Sequence, residues 1–91
     1  MSVEVIFTSF VTKFVKGKKV LNYEPGKISD ILEDISGKYP IFKKEVFDEN
    51  GNLKSYVYIF IDGKDINKLS GKDTLVKDKQ KIKIFMALMG G

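Results

Sequence analysis

The chain has 91 residues, of which 43% are hydrophobic and 31% charged, the composition of one small folded domain rather than of a disordered chain. It contains no Cys and no His, which excludes disulfide scaffolding, thiolate chemistry and the commonest general base and metal ligand. All 16 basic residues are Lys and the net charge is only +4, so nucleic acid is an unlikely partner. No apolar run approaches the ~20 residues of a membrane helix, and no signal-peptide pattern opens the chain. We therefore expect a cytoplasmic protein without a membrane partner.

The first predicted elements are two strands. Residues 3–8 alternate between two faces, with Val3, Val5 and Phe7 sharing one of them, which predicts a strand with one buried face. A turn at 16–19 leads to a second strand at 20–24.

The strongest helical pattern follows this second strand. Ser29 is predicted as the N-cap and Gly37 as the end of the helix, and Pro40 prevents its continuation. A short second helix or turn is expected within residues 41–47. One apolar stripe at helical spacing is predicted to face the core, namely Ile28, Ile31, Leu32 and Ile35.

Two further strands complete the pattern. Residues 56–61 are β-branched or aromatic at every position, which is typical of a strand inside a sheet. Residues 81–86 form the last predicted strand. The polar segment 64–79 between them is interpreted as a loop. Four aliphatic residues are predicted to anchor this loop in the core, namely Ile66, Leu69, Leu75 and Val76.

This order of elements predicts an α+β fold, with a mixed four- to five-stranded sheet and one main helix across one face. The first and last strands are expected to lie parallel at the centre, which is the β-grasp (ubiquitin-like) arrangement. Residues 1–86 would form the domain, and residues 87–91 a flexible C-terminal Gly-Gly tail. The lysine clusters at 16–19 and 77–83 are interpreted, for most of their residues, as solvated surfaces that protect strand edges. The alternative is a docking surface for an acidic partner or for nucleic acid.

The sheet face opposite the helix is predicted to be unusually apolar. Strand alternation places four large side chains there, namely Ile6, Tyr58, Phe60 and Phe85. A contiguous patch of this kind marks a partner site, because aromatic side chains are typical of interface centres. The alternative, that long loops cover these side chains or that they are merely partly exposed, stays open at this point.

The sequence ends in Leu88, Met89, Gly90 and Gly91. Two glycines add nothing to packing, but a backbone without Cβ atoms suits entry into a narrow channel. A frayed end without function is the alternative, since most termini behave in that way.

Taken together, the ordered elements resemble the sulfur-carrier proteins of the ubiquitin-like superfamily. The small subunit of molybdopterin synthase is most similar, together with the thiamine sulfur carriers and the archaeal small modifiers. The resemblance includes the opening strand, Tyr39-Pro40 behind the helix, the runs 58–66 and 69–75, and the last strand through to Gly90-Gly91. The sequence departs from the family at three places. The family often has prolines shortly before the two glycines, and this chain does not. The family also often has Asn at the position of Asp62 and Gly at the position of Lys79.

The resemblance implies that the carboxylate of Gly91 is the reacting group. A ubiquitin-activating-type adenylating enzyme would use ATP to form an acyl adenylate there, and a sulfur donor would convert it to a thiocarboxylate. The chain itself would be a carrier subunit rather than an enzyme and would bind no cofactor tightly. Its tail, residues 88–91, would enter the large subunit of molybdopterin synthase or another sulfur acceptor, with Tyr58, Phe60, Phe85 and Ile6 as docking residues.

Several functions stay open. The resemblance favours supply of sulfur for the molybdenum or tungsten cofactor, but thiolation of tRNA or thiamine uses the same tail. Conjugation of Gly91 to lysines of target proteins, as a ubiquitin-like modifier, also needs the same activation. A non-covalent β-grasp module that binds a protein or a nucleic acid, and whose Gly-Gly ending is accidental, is the hypothesis from a different class.

Overall fold

The computed structural model describes residues 1–8 and 10–87. Its main sheet has five strands in the order β2-β1-β7-β4-β5, and a small second sheet pairs β3 with β6. The strands are β1 (Val3–Phe7), β2 (Val20–Tyr23), β3 (Gly26–Lys27), β4 (Val57–Ile61), β5 (Lys64–Asp65), β6 (Leu75–Val76) and β7 (Lys81–Met86). The helices are α1 (Ile28–Lys38) and α2 (Pro40–Val46).

The first and last strands lie side by side and parallel at the middle of the main sheet. Val5 is opposite Ile82, and Phe7 is opposite Ile84. Strands β2 and β4 pair antiparallel on either side of them. Because parallel neighbours require a long crossover connection, the helices between β2 and β4 belong to that connection and cover one sheet face. The β-grasp prediction is confirmed.

The core lies between that covered sheet face and the helices. All four residues of the predicted stripe on α1 are at most 4% exposed, namely Ile28, Ile31, Leu32 and Ile35. The alternate residues of β4 that face them, Val57, Ile59 and Ile61, are also buried. Burying each aliphatic side chain stabilises the fold by about 1.5–3 kcal/mol. The α1 stripe and the buried residues of β4 belong to one core cluster, so their shared burial determines which face of the sheet is covered.

The predicted limits of the main helix were wrong at both ends. Ser29 is the second helical residue rather than the cap, and Lys27 precedes the helix without a side-chain hydrogen bond. The N–H of Ile28 instead donates to the Thr74 carbonyl at 2.9 Å, because β3 pairs with β6 beside the helix start. At the other end α1 continues through Gly37 to Lys38, and Pro40 starts α2.

The segment predicted as one polar loop contains two short strands, β5 and β6. Of its four predicted anchors, Ile66 and Val76 are buried, whereas Leu69 and Leu75 are 41% and 63% exposed. Leu75 is exposed because it alternates with Val76 in β6, so the two side chains point to opposite sides. Leu69 lies just past the short 3₁₀ turn Ile66–Lys68, which buries only Ile66.

Residues 11–15, part of a run that shows no regular pattern in the sequence, contribute to the core as well. A 3₁₀ turn at Val11–Val15 buries Val11, Phe14 and Val15.

The second helix agrees with its prediction to within one residue at each end, and Phe42 and Val46 from it are buried. Phe42 packs edge-on against Phe7 of β1 with ring centroids 6.0 Å apart, which ties α2 to the sheet.

Candidate partner-docking face and the base of the tail

The sheet face that points away from the helices is called the open face below. Strand alternation determines its composition, because the intervening residues are buried on the helix side. It carries Val20 and Asn22 from β2, Glu4 and Ile6 from β1, Lys81, Lys83 and Phe85 from β7, and Tyr58 and Phe60 from β4.

Three aromatic residues on this face, Tyr58, Phe60 and Phe85, form one stack, called the aromatic triad below. Phe85 is in the middle, with its ring centroid 5.4 Å from that of Tyr58 and 5.3 Å from that of Phe60. The ring planes are inclined by 19° and 7° respectively. Stacked pairs contribute about 0.5–1.5 kcal/mol beyond the area they bury, so the triad is a pre-ordered apolar surface.

Cross-strand register explains why these three side chains meet. Tyr58 is directly opposite Phe85, and Phe60 is two residues further along β4, within diagonal reach of the same ring. Tyr58 is 37% exposed and the two phenylalanines are half-buried. Loops therefore do not cover these aromatic side chains in the described part of the chain, and all three are partly exposed.

The fourth predicted docking residue, Ile6, lies on the open face but apart from the triad. Lys83 is opposite Ile6 on one side and opposite Phe60 on the other. Ile6 is therefore separated from Phe60 by the width of β7. The exposed Lys83 was assigned to a solvated lysine cluster from the sequence, and only the strand register reveals that it lies among apolar residues.

The base of the tail lies beside the triad. Strand β7 ends at Met86, and the N–H of Ala87 still donates to the Tyr56 carbonyl at 2.8 Å. This hydrogen bond extends the β4–β7 ladder one residue past the strand. The predicted site residues Leu88, Met89, Gly90 and Gly91 lie outside the described residues.

A polar cluster on the helix side joins β2 to α1 and is separate from the open face. The Tyr23 hydroxyl donates to Asp34 at 2.7 Å, and Lys38 lies 3.0 Å from the same carboxylate. The hydrogen bond from Tyr23, followed by that from Lys38, lowers the pKa of Asp34. Burial, followed by the hydrogen bond to Asp34, raises the pKa of Tyr23. We interpret this cluster as a structural contact between the two elements.

Residues 1–8 and 10–87 offer neither a metal site nor a membrane-spanning helix. They contain no group of three His, Cys, Asp or Glu side chains arranged to hold a metal ion. No helix within them has the length and apolar character needed to cross a membrane. The aromatic triad and the adjoining base of the tail form the candidate site, because three stacked and partly exposed rings lie beside the point where the tail begins.

Comparison with known proteins adds independent information. The ThiS family model matches residues 5–91 of the chain. The small archaeal modifier protein 1 (SAMP1) from Methanosarcina acetivorans is 30% identical, with 99% of this chain and 96% of that chain covered and a TM-score of 0.82. None of the curated proteins matches the sequence significantly.

Two other solved structures share the fold at lower identity. The putative molybdopterin converting factor, subunit 1, from Pyrococcus furiosus is 22% identical, with coverage of 97% and 99% and a TM-score of 0.73. A chain of the Amycolatopsis orientalis BexX/CysO complex is 20% identical, with coverage of 98% and 99% and a TM-score of 0.84.

Proposed function

Because the chain belongs to the ThiS family of ubiquitin-like sulfur carriers and modifiers, we propose that it carries sulfur as a thiocarboxylate on Gly91. The observation that carries this proposal is that the family match continues through Gly91, so the Gly-Gly ending belongs to the matched region. The composition is consistent with it. Since the chain has no Cys and no His, the thiol and acid–base chemistry would have to reside in partner enzymes.

The proposed chemistry has two steps. A carboxylate oxygen of Gly91 attacks the α-phosphorus of ATP on an adenylating partner, which forms an acyl adenylate and releases pyrophosphate. Sulfide (HS⁻) delivered by a sulfur donor then attacks the acyl carbon, the bond from that carbon to AMP breaks, and one proton is lost, which leaves the thiocarboxylate and free AMP. Glycine at the last two positions keeps side chains away from the reacting carbon and lets the backbone enter a narrow channel.

The open face supplies the proposed docking surface for the adenylating enzyme and later for the sulfur acceptor. The aromatic triad is apolar, partly exposed and ordered before binding, which lowers the entropy lost on association. Ala87 pairs with Tyr56 beside the triad, so a partner that covers the triad is also close to the point where the tail begins.

We propose that the sulfur is used in molybdopterin synthesis. The acceptor would be a large synthase subunit that binds the thiocarboxylate tail. The fold shared with a putative molybdopterin converting factor subunit supports this choice.

A second candidate is conjugation of Gly91 to lysines of target proteins. It is favoured by the 30% identity to a small archaeal modifier protein, the higher of the two identities.

The test of sulfur loading is intact mass spectrometry. The purified chain is incubated with the ubiquitin-activating-type enzyme of the same genome, ATP and a sulfur donor. We expect a mass gain equal to the difference between sulfur and oxygen, located on the C-terminal peptide. A chain without Gly91 is the control and should gain nothing. If the full chain is adenylated but never gains sulfur, the carrier proposal fails.

The two candidate uses differ in what accumulates in cells. A modifier forms covalent adducts of higher mass that survive denaturation and disappear when Gly91 is removed. A dedicated carrier forms none, but its removal stops cofactor synthesis. Adducts with an isopeptide bond from Gly91 to a lysine would therefore favour conjugation over molybdopterin synthesis.

A further inference from the structure

Lys83 occupies an unusual position on the open face. In the strand register it lies between Ile6 of β1 and Phe60 of β4, so apolar side chains flank it on both sides. Its neighbour on the same face, Lys81, pairs with Glu4 at 4.0 Å. Within residues 1–8 and 10–87, no ion pair or hydrogen bond engages the Lys83 ammonium group.

The acidic groups of the open face do not neutralise this charge. Glu4 is opposite Lys81 rather than Lys83. Asp65 of β5 lies opposite Phe60 of β4, in the same row as Lys83 of β7. It is therefore two strands away from Lys83, roughly 9–10 Å by strand spacing. Among the described residues, Lys83 therefore presents an unpaired positive charge inside the surface proposed for docking.

A partner that covers both the triad and Ile6 must also cover Lys83. Removing an ammonium group from water is unfavourable unless an opposite charge replaces the lost hydration. A partner with a purely apolar surface would consequently be rejected, whereas one with a matching carboxylate would be accepted.

We propose that Lys83 selects the partner: the adenylating enzyme that docks on the open face places an Asp or Glu carboxylate against the Lys83 ammonium group. This inference rests on the proposed function, because it assumes that the open face is the docking surface for that enzyme. Lys83 would act on recognition alone and would take no part in the chemistry at Gly91.

The observations favour a protein carboxylate over a nucleic-acid phosphate. Glu4 offsets the charge of Lys81, and Asp65 lies in the same row as Lys83, so the described open face lacks the extended positive charge that binds a polyanion. The rings of the triad stack on one another, so the Phe85 ring in the middle is already engaged on both sides. Single-stranded nucleic acid usually needs free ring faces on which its bases can stack.

The experiment compares Lys83→Met with the natural chain in ATP-dependent adenylation by the ubiquitin-activating-type enzyme of the same genome. Methionine keeps the length and apolar stem of lysine but removes its charge. We expect KM for the carrier to rise about tenfold or more while kcat is little changed, since truncating one partner of a covered charge pair weakens association. Lys83→Glu should raise KM further.

Lys81→Met is the matched control. Lys81 lies on the same strand and face, but it already pairs with Glu4 and has only polar neighbours across the strands, so its KM should change less than about threefold. Circular dichroism checks that each variant is folded. If Lys83→Met does not fold, Lys83→Gln provides the same comparison.

Three outcomes would overturn the proposal. An unchanged or lower KM for Lys83→Met would mean that no carboxylate meets Lys83, even though the natural chain is adenylated and the proposed function stands. Loss of binding to a single-stranded oligonucleotide in Lys83→Met, with KM unchanged, would assign Lys83 to a nucleic acid. Failure of the natural chain itself to be adenylated would remove the proposed function and this inference with it.

Discussion

Asp62 connects three strands through its backbone conformation and its carboxylate. It occupies the left-handed region with φ of 48°, followed by Gly63 at 84°, and the two residues form the tight turn between β4 and β5. Its Oδ1 atom accepts the Lys81 N–H at 2.9 Å, at the start of β7. Aspartate tolerates this backbone conformation better than most residues, so the side chain serves both requirements.

Asp62→Ala should therefore lower the free energy of unfolding by about 1–3 kcal/mol. Two effects add up in this loss. Alanine lacks the polar side chain that makes the left-handed conformation tolerable, and the Lys81 N–H loses its acceptor. Urea unfolding at neutral pH measures it. Asp62→Asn is the control, because asparagine keeps an acceptor oxygen and tolerates the same conformation, and it should cost about 0.5 kcal/mol or less. Equal losses in both variants would mean that the charge, not the geometry, matters.

The two faces of strand β4 have different roles, since one packs in the core and the other forms part of the proposed docking surface. Val57, Ile59 and Ile61 face the core, whereas Tyr58 and Phe60 belong to the triad on the open face. A single residue of slip in its pairing with β7 would exchange the two sets, so the register is strongly specified.

Ile59→Ala should reduce the free energy of unfolding by about 2–5 kcal/mol, because Ile59 is 1% exposed and its truncation leaves a cavity under α1. Ile59→Val is the graded comparison and should cost about 0.5–1.5 kcal/mol. Chemical denaturation gives both values. A near-zero effect of the alanine variant would contradict the placement of Ile59 in the core.

Elements with a clear period could be predicted from the sequence, and elements defined by a distant partner could not. The α1 stripe and the alternation of β1 and β4 are local patterns with 3.6- and 2-residue periods, so they predicted the covered face and the open face correctly. The start of α1 was mispredicted because its first N–H pairs with Thr74, more than 40 residues away. The position of Lys83 also depends on two strand registers that the sequence does not specify by itself.

At the scale of the whole molecule, the described core and the proposed reacting group belong to separate stretches of the sequence. Every side chain of the described core lies between Val3 and Ile84. The tail residues at 88–91 follow the last core residue and the hydrogen bond of Ala87. Because the two regions do not share residues, stability and loading should respond to different substitutions.

Deletion of Gly90 and Gly91 tests this separation and also the non-covalent alternative. We expect the free energy of unfolding to change by about 0.5 kcal/mol or less, since no core side chain is removed. Adenylation and the sulfur mass gain should both be lost, because the carboxylate is displaced by two residues from the family's position. Thermal unfolding and intact mass measure these effects on the same sample, with Ile59→Val as a destabilised variant that should still load. If the shortened chain keeps its full activity in cells, the tail carries no chemistry, and a non-covalent binding role for the open face would replace the carrier proposal.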